Sequence, residues 1–178
     1  YRRRSDSWLN AVVLEYIYSK YQSGPIYHDH TKTIADHIGG NDDYYNHYIY
    51  PGYQHWGQAM SNPLYRSPIY NKDGRIAFTN NRFVAYHLGL SGTPNQYVNW
   101  RMLASWQKGL GTYTEPYSKE RSNMSLLAEI TYKPHSISAS WLNGVDIKAA
   151  YGMDFGSILG GINYGFQLTI TKTGVFNF

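Results

Sequence analysis

The end of the chain most constrains what it can fold into. From Phe166 the apolar residues fall on every second position, Phe166, Leu168 and Ile170. Gln167, Thr169, Thr171 and Thr173 fill the other parity, and Phe176 and Phe178 then resume the apolar one. Side chains of a strand alternate between its two faces, so the pattern predicts a strand over 163–178 with one face in an apolar medium and the other in water. Phe166 and Phe176 stand ten residues apart, about the span a tilted transmembrane strand needs between two aromatic girdles. The expectation is the closing strand of an outer-membrane barrel. An edge strand of a soluble sandwich is the plainer alternative.

The same alternation recurs upstream. Over Trp8 to Gln22, Val12, Leu14, Tyr16 and Tyr18 oppose Val13, Glu15, Ile17 and Ser19, and Gly24-Pro25 ends the run. Val84, Tyr86, Leu88 and Leu90 make the next apolar face, with Ser91 to Asn95 expected as a turn. Val98 to Trp106, Met124 to Tyr132 and Val145 to Met153 repeat the pattern. Between them, Gly109 to Ser122 is expected to be a polar loop, and Asn143-Gly144 and Gly156 to Gly161 to be turns. Pro25 to Arg75 lacks periodicity and is rich in Tyr, His, Asn, Gly and Pro. A loop so long is uncommon in a compact domain and is usually functional.

Composition agrees with a barrel that has a wet lumen and an apolar belt. Tyr (19) and Gly (17) are abundant, only 16% of residues are charged, and no apolar run reaches the length of a transmembrane helix. There is no cysteine, which excludes disulfides and thiolate sites. A net charge of +4, clustered only at Arg2-Arg3-Arg4, argues against nucleic acid as a partner. The chain begins without Met or a signal peptide, which suggests a piece of a longer protein.

Six strands are expected in all. If the last strand descends from the cell surface, the 25–75 loop, the Gly109–Ser122 loop and the Gly156–Gly161 turn lie outside, and the turns near Gly92 and Asn143 lie inside. Outer-membrane barrels place their longer loops outside. Six strands cannot close such a barrel, whose minimum is eight, and an open edge in lipid strands backbone polar groups at several kcal/mol each. Further strands from this protein or from a partner chain are therefore expected.

Several stretches make the chain resemble the outer-membrane capsule-assembly (Wzi-type) proteins of Gram-negative bacteria. They are Leu14-Glu15-Tyr16 with Gln22-Ser23-Gly24-Pro25, Asp42-Asp43-Tyr44-Tyr45-Asn46-His47-Tyr48, and Asn62-Pro63-Leu64-Tyr65-Arg66-Ser67-Pro68. Asn81-Arg82-Phe83 with His87-Leu88-Gly89-Leu90, Trp106 to Tyr113, and Gly152-Met153-Asp154-Phe155-Gly156 with Gly165-Phe166-Gln167-Leu168 complete the set. The resemblance spans nearly the whole chain and implies that residues 1–178 are the C-terminal part of one outer-membrane β-barrel domain. It also implies a role in attaching capsular polysaccharide at the cell surface.

Three groups of residues could carry function. His28-Asp29-His30, with His37, Asp42, Asp43, His47 and His55 nearby, has the residue types of a metal site without a diagnostic spacing. A hydrated loop explains it better, so neither a metal nor any other cofactor is expected. Tyr44, Tyr45, His47, Tyr48, Tyr53 and Trp56 are interleaved with further hydrogen-bonding residues. Sugar rings offer apolar C–H faces and hydroxyl edges, so this mixture suits glycan. The same loop could instead pack on itself and plug the barrel mouth. Glu15, Arg101, Glu129, Asp146, Lys148 and Asp154 occupy the non-lipid parity of their strands, where charges of both signs pair across a lumen.

Nothing sets a nucleophile beside a base. The expected function is therefore assembly or surface attachment of capsular or other surface polysaccharide by binding, at the bacterial outer membrane and within its lipid bilayer. The alternatives are a porin-like transport barrel and, third, an outer-membrane hydrolase or acyltransferase.

Overall fold

The computed structural model describes residues 6–22, 43–46, 53–60, 62–134 and 142–174. In chain order these form strand β1 (Ser7–Tyr18), the helical turn α1 (Asp43–Asn46), the short strands β2 (Gln54–His55) and β3 (Gln58–Ala59), and a 3-10 turn at Pro68–Tyr70. The long strands β4 (Arg82–Asn95), β5 (Val98–Gly111), β6 (Pro116–Tyr132), β7 (Val145–Gly156) and β8 (Gly161–Lys172) follow. β1 and β4 to β8 make one antiparallel sheet in the order β1-β4-β5-β6-β7-β8, and β2 pairs with β3 in a small hairpin. The sheet is open, with β1 and β8 as its edges. Thus the fold is all-β with the six expected strands, and these strands do not close on themselves.

Cross-strand register sorts the residues by face. Leu14, Leu88, Ala104, Leu126, Met153 and Tyr164 lie in one row across all six strands. Two residues nearer the loop-bearing end, Tyr16, Tyr86, Trp106, Met124, Phe155 and Ile162 lie in another. Their rings touch: Tyr16 and Tyr86 have centroids 5.3 Å apart, and Tyr86 and Trp106 6.0 Å. Toward the opposite end the same face shows Trp100 beside Ile130, then Val98, Tyr132, Ile147 and Ile170 in register. The expected apolar positions Leu88, Met102, Leu126, Ile147 and Leu168 therefore share one face, and much of it is exposed, Leu168 at 58% and Phe166 at 71%.

The intervening rows make the other face, polar except for one row of Val13, Gly89, Leu103, Leu127, Gly152 and Gly165. Glu15, His87, Ser105, Ser125, Asp154 and Asn163 form one polar row. Among the described residues, five of the six buried apolar side chains lie at one end of the molecule: Phe83 and Ala85 on β4, Phe78 before it, Ile158 in the β7–β8 turn, and Tyr45 in α1; the sixth, Ala150, lies mid-strand on β7 between Glu129 and Gln167. The core is thus a cap on one end of the polar face.

Two boundaries differ from expectation. Ser91 to Asn95 belongs to β4, and the reversal is the two-residue turn at Gln96 and Tyr97. There the Asn95 carboxamide oxygen accepts from the backbone N–H groups of Tyr97 (2.9 Å) and Val98 (3.0 Å), an Asx turn. Pro94 fits inside the strand because the ladder slips between Gly92 and Asn95, and proline is tolerated at such an irregularity. Gly92 is required nearby: a Cβ would stand 1.9 Å from the Trp8 carbonyl oxygen, which accepts the Trp100 indole N–H at 2.9 Å.

The second difference is Gly109 to Ser122. Instead of a loop it is mostly the extension of β5 and β6, paired through Lys108 with Ser122 and Gly109 with Arg121 and turning at 112–115. Lys108 pairs with Glu120, and Arg121 lies 4.2 Å above the Tyr117 ring. The extension carries no alternation because its covered side is made of Gly109, Gly111 and Thr112, which meet Asn80 and Arg82 through close backbone approach and hydrogen bonds and not through a row of apolar side chains.

Candidate functional site

The segment before β4 folds back over the polar face because its aromatic residues find one another. The Tyr45 and Tyr65 rings stack at 3.9 Å, Phe78 meets Tyr45 edge-on at 5.0 Å, and Tyr65 meets Phe83 at 4.9 Å. Such pairs contribute about 0.5–1.5 kcal/mol beyond their area. A polar collar fixes the cluster to the strand ends. Arg82 donates to the Thr112 carbonyl (2.9 Å) and to the Lys20 carbonyl (3.2 Å), with its guanidinium 5.1 Å from the Tyr113 ring. The Ser19 hydroxyl accepts from the Phe83 N–H at 3.0 Å. The Asn80 amide oxygen accepts from the Gly111 N–H at 3.2 Å, and this approach needs Gly109, whose Cβ would lie 2.6 Å from that oxygen.

Between this folded segment and the sheet lies a cavity of about 530 Å³, within the range of small-molecule sites. Tyr65, Arg66 and Lys72 wall it from the segment, and Gln107, Asn123 and Asp154 wall it from the sheet. Gln107 and Asn123 face each other across β5 and β6 in register and are 5% and 3% exposed. Each has a buried amide oxygen without a hydrogen-bond partner. Arg66 donates to the Ile158 carbonyl (3.3 Å) and the Tyr70 carbonyl (2.7 Å), and its Nε is buried without a partner. Among the described residues no carboxylate pairs with Arg66 or Lys72, and no cation pairs with Asp154. The site therefore has two cations, one carboxylate and unsatisfied acceptors in a half-enclosed space.

The predicted lumen charges all fall on the polar face, but they do not form one cluster. Glu129 meets Arg101 at 3.2 Å and Lys148 at 3.7 Å, and Asp146 meets Lys133 at 3.9 Å. Glu15 stands opposite His87 on edge strand β1, and Asp154 belongs to the cavity. Of the predicted glycan contacts, Tyr45 is 3% exposed and serves the packed cluster, while Tyr53 is 40% and Trp56 85% exposed. Trp56 and Gly57 sit at the β2–β3 reversal with φ of 50° and 76°, the two-residue turn whose central residues are both left-handed. Trp56 is thus held outward in a conformation that non-glycine residues rarely adopt. Tyr44 is placed only by its backbone in α1, and His47 and Tyr48 lie outside the described residues, as do His28, Asp29, His30 and His37.

Arg66, Gln107 and Asn123 were not predicted as site residues. Gln107 and Asn123 carry a signal once register is known, since they are neighbouring amides on the face toward which the loop folds. Arg66 carries none beyond its place in an aperiodic segment. Comparison with known protein families, with curated proteins and with solved structures finds no match to this chain.

Proposed function

We propose that this chain forms part of an outer-membrane β-barrel that assembles or anchors surface polysaccharide, capsular polysaccharide in particular, by binding glycan. The observation that carries the membrane reading is the unbroken apolar face bounded by aromatic side chains at both ends. With strands about 4.8 Å apart and about 3.4 Å per residue, the face from Val98 to Trp106 measures roughly 780 Å² over six strands. Keeping that much apolar surface in water costs about 20 kcal/mol at 25 cal/mol per Å², more than the net stability of a typical domain. Hydrocarbon removes the cost, and aromatic girdles sit where lipid meets water. The edges at β1 and β8 then need further strands, from this protein or a partner chain, to satisfy their backbone groups.

The glycan reading rests on the cap: an exposed Trp56, and a polar cavity walled by tyrosine at the end of the polar face. The resemblance to capsule-assembly proteins points the same way. A porin-like barrel is the second reading, favoured by the Arg101–Glu129–Lys148 ladder on the polar face. A glycan array probed with the intact detergent-solubilised barrel, together with planar-bilayer conductance, separates the two. Binding without conductance is expected. Conductance without binding would transfer the assignment to a pore.

A further inference from the structure

We propose that the cavity between the 63–72 segment and the polar face takes a carboxylate-bearing sugar residue, with Arg66 holding the carboxylate. The proposal rests on the glycan-binding reading and adds the chemical class of the unit that enters. Arg66 is half-buried and held from two directions by the Ile158 and Tyr70 carbonyls. Carbonyl oxygens accept its hydrogen bonds without cancelling its charge, and a partly desolvated cation without a counter-ion is costly. In the same segment Arg75 is neutralised by Asp73 at 2.6 Å. Lys72 lines the cavity and adds a second positive charge.

The acceptors decide against a bare anion. Gln107 and Asn123 each bring a buried amide oxygen without a partner, and Asp154 brings an acceptor-only carboxylate. A fully deprotonated anion such as sulfate or acetate offers these groups no donor, and any anion centred among them is repelled by Asp154. A sugar ring supplies hydroxyl donors to Asp154 at once and to the Gln107 and Asn123 amides by rotation of their side chains toward the cavity, while Tyr65 and Tyr70 in the wall suit its C–H faces. A neutral sugar leaves Arg66 without a counter-ion. Only a ligand with hydroxyl donors and an acid satisfies the whole lining.

The test is calorimetric titration of the intact detergent-solubilised protein with methyl glucuronide, methyl glucoside and acetate. The glucuronide should bind about tenfold or more tighter than the glucoside, the factor expected of a charge-assisted hydrogen bond, with acetate weaker than either. Arg66→Gln should abolish the preference, and Gln107→Ala should weaken both sugars while preserving their ratio. Should Arg66→Gln fail to fold, Lys72→Gln, at an exposed position, should still narrow the ratio. Equal binding of the two sugars would overturn the acid specificity and leave the glycan reading standing. Acetate binding as tightly as glucuronide would overturn the sugar. Absence of binding by either sugar, with polysaccharide still retained on cells, would remove this cavity as the site without touching the proposed function. Polysaccharide retention unaffected by deletion of the whole chain would sink that function itself.

Discussion

On the face that holds Leu88, Met102 and Leu168, neighbouring strands set apolar against apolar from edge to edge. On the face that holds Arg101, Glu129 and Asp154, they set Arg101 against Glu129 and Gln107 against Asn123, with one apolar row, Leu103 against Leu127, between them. The residues interleave one by one along the same backbones. The first face is largely uncovered among the described residues, and on the proposed function a bilayer would cover it. The second is self-contained: ion pairs join its strands toward one end, and a packed aromatic cap covers the other. On the proposed function, membrane stability and recognition fall on opposite sides of one sheet, and substitutions should separate them.

The largest expected effect is in the cap. Phe78 is 2% exposed and packs edge-on against Tyr45. Phe78→Ala should cost about 3–5 kcal/mol of local stability, read as faster proteolytic cleavage within 62–80. The sheet should remain intact, because none of its apolar face touches that cluster. Loss of heat-modifiable migration in the same variant would show that cap and sheet unfold as one unit, and the division between the faces would fail.

Next comes the apolar face, proposed to meet lipid. Leu168→Arg should cost about 2–4 kcal/mol near a bilayer midplane and lower the fraction inserted into vesicles. Gln167→Arg, one residue away on the polar face, should insert nearly as the parent does. If the neighbours respond alike, the two faces do not meet different media. A smaller effect is expected at Glu129, whose side chain is 16% exposed and serves both Arg101 and Lys148. Glu129→Gln sets two cations side by side, and a cost of about 1 kcal/mol is expected in urea unfolding. Adding Lys148→Gln should recover part of it. A double variant no better than the single would mean that the ladder carries no electrostatic coupling.

How much of this was legible in the sequence follows from the same contrast. The six strands were, because Val12 to Tyr18, Val98 to Trp106 and Phe166 to Ile170 alternate wherever one side is apolar and the other polar. The face of each lumen charge followed from the same parity. The β5–β6 extension was not legible: its covered side is made of Gly109, Gly111 and Thr112, held by strand pairing and by hydrogen bonds to Asn80 and Arg82, which leave no hydropathy trace. The cavity was not legible either, since Arg66, Gln107 and Asp154 are far apart in the chain and meet only through register and the fold-back of the cap. Tyr45, read either as a glycan contact or as part of a self-packed loop, packs in the cap because Tyr65 and Phe78 cover it.

The smallest effect is expected at Asp73, and it sharpens the contrast between the two arginines of the cap. The Arg75 side chain, and then its backbone N–H, donate to the Asp73 carboxylate and hold its pKa below the usual carboxylate value. A carboxylate so depressed contributes fully at any pH above its ordinary value. That contribution is lost only as pH falls through the lowered value of the folded state. Proteolysis of the 62–80 segment should therefore be flat from neutral to mildly acidic pH and quicken only below the ordinary carboxylate range. Both side chains stand largely in water, where screening leaves such pairs weak, so Asp73→Asn should change cleavage little at neutral pH. It should also leave the ratio of glucuronide to glucoside affinity unchanged, because it frees Arg75, which is outside the cavity, and leaves Arg66 as it was. A changed ratio in Asp73→Asn would mean that the acid is read by the charge of the whole cap and not by the one half-buried guanidinium.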